Sequence, residues 1–141
     1  MEDGLKKQIE ELVETSDVSY LSSVDEQGFP NTKAMMNIQR EGLFTHYYST
    51  FLYAARTAQY QSNPKASIYM STVSDPKGLM LIGNIQVLTD MHHKKMLWRE
   101  GFEKYYPDGV DTENYCILKF TAQRGDFCYG AGNITFSVDD F

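Results

Sequence analysis

The stretch VSYLSSVDEQGFPNTKAMM, residues 18–36, decides the fold. Its first seven residues alternate Val18, Tyr20 and Ser22 against Ser19, Leu21 and Ser23, the period-two pattern of a β-strand. DEQG (25–28) has the composition of a hairpin turn, with Gly28 free to take positive φ. Pro30 opens the returning strand, where a missing N–H costs least, and that strand is predicted to run to Ile38. One lysine, Lys33, stands in this otherwise neutral and increasingly apolar run. An ammonium group resists leaving water unless an anion meets it. Lys33 is therefore a candidate anion contact.

Outward from this hairpin, hydropathy patterning divides the chain further. Upstream, Leu5, Ile9, Leu12 and Val13 make one apolar face of a helix over about residues 3–16. Downstream, REG (40–42) reads as a turn and LFTHYYST (43–50) as a third strand. FLYAARTAQYQ (51–61) changes to helical spacing, with Thr50 as a candidate N-cap and SNP (62–64) as its stop. ASIYMSTV (66–73) and LMLIGNIQVLT (79–89) are the fourth and fifth strands. Asp90 can cap a helix over 91–106 that has a weak point at Gly101. YCILKFTAQ (115–123) and GDFCYG (125–130) complete the strands, and NITFSVDDF (133–141) is either a short edge strand or a tail. The expected architecture is mostly β: a six- to seven-stranded antiparallel barrel with helices at its ends. Continuous apolar runs such as LMLI point to strands covered on both faces, a partner chain being one such cover.

Length and composition agree with this. The 141 residues suit one domain spanning 1–141, and 42% hydrophobic with 13% aromatic residues suffice for a packed core. With 13 Lys+Arg against 19 Asp+Glu, the net charge of -6 argues against a nucleic-acid surface. Any anion site must be a local pocket. The N-terminus is charged and no apolar run approaches the roughly 18 residues of a membrane span, so a soluble, cytoplasmic protein is expected. Cys116 and Cys128 suggest neither a disulfide framework nor a zinc site, and each is read as a small core residue.

The candidate site gathers around the end of the third strand. Ser49 and Thr50 offer hydroxyls beside a predicted helix start, whose partial positive charge suits phosphate. Arg56 lies further into that helix and Lys33 on a nearby strand. Taken singly, Thr50 is equally an N-cap and Arg56 a solvated helix residue; the site depends on their meeting in space. His46 reads as a hydrogen-bonded barrel histidine or a ligand neighbour. His92 and His93 are adjacent on a helix and cannot chelate one metal, and GAG (130–132) lacks the context of a dinucleotide fingerprint.

The ordered set Gly28-Phe29-Pro30, Lys33, Met35, Tyr48-Ser49-Thr50, Arg56 and Asn63-Pro64 resembles the FMN-binding split-barrel family that includes pyridoxamine 5′-phosphate oxidase. LIGNIQVLTD (81–90), Leu97-Trp98 and the segment 105–128 resemble its general stress protein 26 branch in particular. The resemblance implies a Greek-key split barrel, usually a homodimer with one FMN at each of two sites across the subunit interface. It places Lys33, Ser49, Thr50 and Arg56 at the FMN phosphate and ribityl chain, beside Tyr48, and runs the backbone of Thr32, Lys33, Ala34 and Met35 along the flavin ring. Leu79 and Met80 fall where the partner chain approaches, and Trp98 either covers a flank of the site or is a core indole. The implied activity is FMN-dependent electron transfer from a reduced donor to a small-molecule acceptor; the alternatives are a non-catalytic FMN-binding protein for sensing or storage, and a ligand-free structural dimer. Three departures stand out. Lys33 replaces the commoner Arg, Ala55-Arg56 replaces a paired Arg-Lys, and Gly78 stands near the position of a partner-contributed glutamine. The C-terminal residues 133–141 do not match the segment that closes the oxidase's substrate site, so vitamin B6 oxidation is not expected.

Overall fold

The computed structural model describes residues 1–141. Helix α1 (Asp3–Thr15) leads into the hairpin β1 (Val18–Val24) and β2 (Pro30–Met36), then β3 (Gln39–Glu41) and β4 (Thr45–Phe51). Helix α2 (Ala55–Ser62), strands β5 (Lys65–Thr72) and β6 (Lys77–Leu88), and helix α3 (Met91–Leu97) follow. Strands β7 (Tyr115–Tyr129) and β8 (Gly132–Ser137) close the chain, with 3₁₀ turns at Phe102–Lys104 and Val138–Asp140. The founding hairpin forms, with Val18 opposite Met36 and Val24 opposite Pro30. Its turn is held by the Asp25 carboxylate, which accepts from the Gln27 and Phe29 amides, while Gly28 takes φ of 85°.

Seven strands follow one antiparallel path, β2-β1-β5-β6-β7-β4-β3, and the eighth, β8, pairs with β7 beside β4. The two end strands of this path, β2 and β3, are consecutive in the chain and separated only by Asn37 and Ile38. Those two residues force the sheet to curl until its edges nearly meet. The result is a barrel with a split between β2 and β4. Helix α1 packs Ile9, Leu12 and Val13 into one core inside the curl, with Leu21, Tyr48, Ile68, Leu79, Leu81 and Phe120. A smaller core lies outside, where Tyr47, Tyr115 and Ile117 pack against Leu97, Phe102 and Tyr106. β4 and β7 are therefore covered on both faces, which accounts for the apolar run Tyr115–Leu118 that opens β7.

Several boundaries differ from expectation, each for a visible reason. Residues 39–41 form strand β3 rather than a turn, and the turn falls at Gly42 with φ of 64°. β2 stops at Met36, because Asn37 leaves the ladder to bond Asp17 and Ser16. Thr50 is not a helix cap: β4 continues through Phe51, paired with Tyr115, and α2 begins at Ala55. The helix predicted over 91–106 ends at Leu97; Asp90 does cap it, and Gly101 in a left-handed conformation redirects the chain. The last two predicted strands are one 15-residue strand, bent by a bulge opposite Ile82 and Gly83. The residues 132–137 form an edge strand. Cys116 is buried as expected, whereas Cys128 is exposed. No helix is long and apolar enough to cross a membrane.

Candidate functional site

The split is where chemistry can gather, because β2 pairs only with β1 and turns its other edge, with unpaired backbone groups, toward the opening. Lys33 lies opposite Leu21, so its side chain leaves β2 on the face that points into the barrel mouth. Arg56 reaches the same place from the first turn of α2, where helical amides have no carbonyl four residues back. Lys33 and Arg56 line one groove of about 180 Å³, together with Thr32, Ala55, Gln59 and Tyr60. Arg56 Nε donates to the buried Thr50 hydroxyl at 3.0 Å, which fixes the guanidinium while leaving its terminal nitrogens free. Neither cation has a carboxylate partner; the three ion pairs of the chain lie elsewhere. In a protein of net charge -6, two unpaired cations facing one groove are a donor set for a dianionic phosphate.

Arg56 also lines a second cleft, of about 220 Å³, that continues from the groove along the split. Ala34, Met35 and Met36 of β2 form one wall and Ser49, Thr50 and Phe51 of β4 another. The third wall is aromatic: Phe102, Tyr105 and Tyr106, from the segment released by Gly101. Burial pushes the Tyr106 hydroxyl well above its ordinary pKa, so that hydroxyl keeps its proton at neutral pH. A flat apolar slot beside a cation pair matches a planar ring joined to a phosphate, and the residues present fit a flavin mononucleotide.

The sequence model described as "Pyridoxamine 5'-phosphate oxidase like" matches residues 5–138. The chain belongs to this family. A Clostridium acetobutylicum protein related to general stress protein 26 of B. subtilis, of the pyridoxinephosphate oxidase family, is 36% identical, covers 99% of both chains and superposes with a TM-score of 0.89. General stress protein 26 from Bacillus anthracis has the same fold at 17% identity, covering 94% of this chain and 98% of that one, with a TM-score of 0.75. A pyridoxamine 5′-phosphate oxidase-related, FMN-binding protein from Nostoc punctiforme shares the fold at 13% identity, covering 94% and 87%, with a TM-score of 0.68. No curated protein matches the chain.

Within this pyridoxamine 5′-phosphate oxidase-like chain, the residues singled out by sequence do not all converge. Thr32, Lys33, Ala34, Met35, Ser49, Thr50 and Arg56 line the connected groove and cleft. Ser49 and Thr50 leave β4 on opposite faces: the Ser49 hydroxyl bonds Tyr115 at 3.0 Å, and Thr50 faces Arg56. Tyr48 is wholly buried in the inner core, its hydroxyl without a partner, and lines neither compartment. Leu79 is likewise a core residue, while its neighbour Met80 is half-buried on the barrel's outer face. Trp98 is an indole of the outer core, packed edge-on against Phe102 and Tyr115. His46 is a buried barrel histidine whose Nε2–H donates to the Leu43 carbonyl at 2.7 Å. The His93 ring bonds the Asp90 carboxylate and stacks on Tyr47. The aromatic wall escaped the sequence reading because residues 102–106 fitted a helical continuation; the glycine before them was the available signal.

Proposed function

We propose that this protein binds FMN in the split and uses it as a flavoprotein oxidoreductase, moving electrons from a reduced donor to a small-molecule acceptor. The observation that carries the reading is the pair Lys33 and Arg56, both without carboxylate partners, at the head of an aromatic cleft. Bound there, the flavin would supply the electron chemistry itself. The chain's residues bind, orient and shield. Lys33 and the terminal nitrogens of Arg56 would hold the phosphate, and Thr50 fixes the Arg56 fork in position. The β2 edge would run beside the ring, while Phe102 and Tyr106 exclude water from one side. No side chain is needed as acid or base, in keeping with the absence of a catalytic constellation.

The working unit we propose is a homodimer. The outer face of β2, β1 and β5 carries Met36, Tyr20 and Tyr69 at 57%, 46% and 41% exposure, next to Val18 and Met80. A patch of neighbouring large apolar side chains is unusual on a lone soluble chain and suits a second copy. The alternative reading, FMN binding without turnover, is favoured by the likeness to stress-protein relatives. The two separate on purified protein loaded with FMN. Bleaching of the flavin absorbance by NADH or NADPH, and its return with oxygen or a nitro compound, supports the enzyme. Flavin that binds yet stays oxidised with every donor supports the binding protein, and no flavin uptake overturns both.

A further inference from the structure

Beyond the two cations the groove continues. Ala55 and Gln59 line both the Lys33–Arg56 groove and a third compartment on its far side. Arg56 connects the groove to the aromatic cleft, so the order along the surface is aromatic cleft, cation pair, third compartment. This last space is about 580 Å³, within the roughly 300–1,000 Å³ typical of small-molecule sites. It lies between the β1–β2 turn and α2.

Its lining differs in kind from the other two. Ala55 and Ala58, one turn apart on α2, leave a shallow apolar face beside Val24. Around it stand Glu26, Gln27, Gln59, Ser62 and Asn63. Asp25 is fully engaged in its turn, accepting from two backbone amides and from Asn31. Gln59 Oε1 accepts from Ser23 at 2.5 Å, which leaves its amide N–H groups without a partner. Glu26 takes part in no ion pair. The compartment thus offers neutral donors and acceptors, one free carboxylate and no cation. That chemistry disfavours a further phosphate and suits a sugar diol and a nitrogen-rich base.

We propose that the site accepts flavin as the dinucleotide, FAD, with the diphosphate between Lys33 and Arg56 and the adenosine between the hairpin turn and α2. The inference rests on the flavin reading of the split and extends it. Glu26 would receive the ribose hydroxyls, Ala55 and Ala58 the face of the purine, and the Gln59 amide its edge. FMN alone would leave this space empty.

The test is calorimetric titration of the full-length protein with FMN and with FAD, repeated on Ala58→Trp. Ala58 is exposed on α2 and lines neither the cation groove nor the aromatic cleft, and a thermal melt followed by circular dichroism reports whether the variant is folded. The expected result is FAD bound about tenfold tighter than FMN, with Ala58→Trp removing that advantage and leaving FMN affinity within about twofold. FAD bound no tighter than FMN, or a ratio unchanged by Ala58→Trp, overturns the dinucleotide inference while the flavin reading stands. Binding of neither overturns both.

Discussion

Arg56 is the residue on which the two compartments turn. Its guanidinium is half-buried and pre-oriented by Thr50, so it loses little freedom when it meets a phosphate. Replacing it with alanine is expected to weaken FMN binding by about 1–3 kcal/mol, the range for losing hydrogen bonds to a charged group. Lys33 is exposed and flexible, so Lys33→Ala should cost less, about 0.5–1 kcal/mol. Titration of flavin fluorescence measures both; equal and negligible effects would remove the phosphate from this groove. His46 makes a different prediction. Burial, reinforced by Arg40 and opposed by the Leu43 carbonyl, lowers its pKa to about 4. The unfolded chain, with a histidine pKa near 6.5, therefore binds a proton that the folded chain refuses. Stability from this group is complete above about pH 6.5 and is lost as the pH falls toward 4, by roughly 3–4 kcal/mol in total. Urea midpoints at neutral pH and at pH ~4.5 should show the loss, and His46→Gln should flatten it.

Among the elements, β6 and β7 show how tightly the barrel is drawn. Gly83 faces the bulge in β7, and a Cβ placed there would sit 1.9 Å from the Thr121 carbonyl oxygen and 2.8 Å from the Ala122 Cα. Both neighbours are backbone and cannot step aside. Gly83→Ala is expected to destabilise the fold by about 2–3 kcal/mol, measured as a lower denaturant midpoint. A midpoint unchanged from the parent would mean that the two strands are not so close. The hairpin of residues 18–36 was legible because alternation and turn chemistry are local signals. Helix α1 was legible for the same reason, as was the Asp90 cap. Where long-range pairing set the outcome, the sequence misled. Strand β4 keeps Thr50 and Phe51 because β7 pairs with them, and the predicted 91–106 helix yields to the burial of Phe102 and Tyr106 against Tyr115. Lys33 and Arg56 were identifiable as isolated cations in a neutral strand and a short helix. The aromatic wall was not, because only the tertiary fold brings residues 102–106 against β4.

At the level of the whole molecule, the exposed apolar face of β2, β1 and β5 carries the prediction. Tyr20→Glu should shift sedimentation from dimer to monomer and leave the monomer folded, as read by circular dichroism, since Tyr20 lies outside both cores. A variant that remains dimeric would place the interface elsewhere. If each flavin touches both chains, dilution below the dimer dissociation constant should release it. The joint at Asn37 and Ile38 has a mechanical consequence. Met36 and Gln39 are three peptide steps apart, so the lips of the split cannot part there by more than about 11 Å, however the rest of the sheet breathes. The width of the ligand slot is thus gauged by tether length rather than by packing, and lengthening that tether by a few glycines would loosen its jaws while every ladder of the barrel stayed zipped.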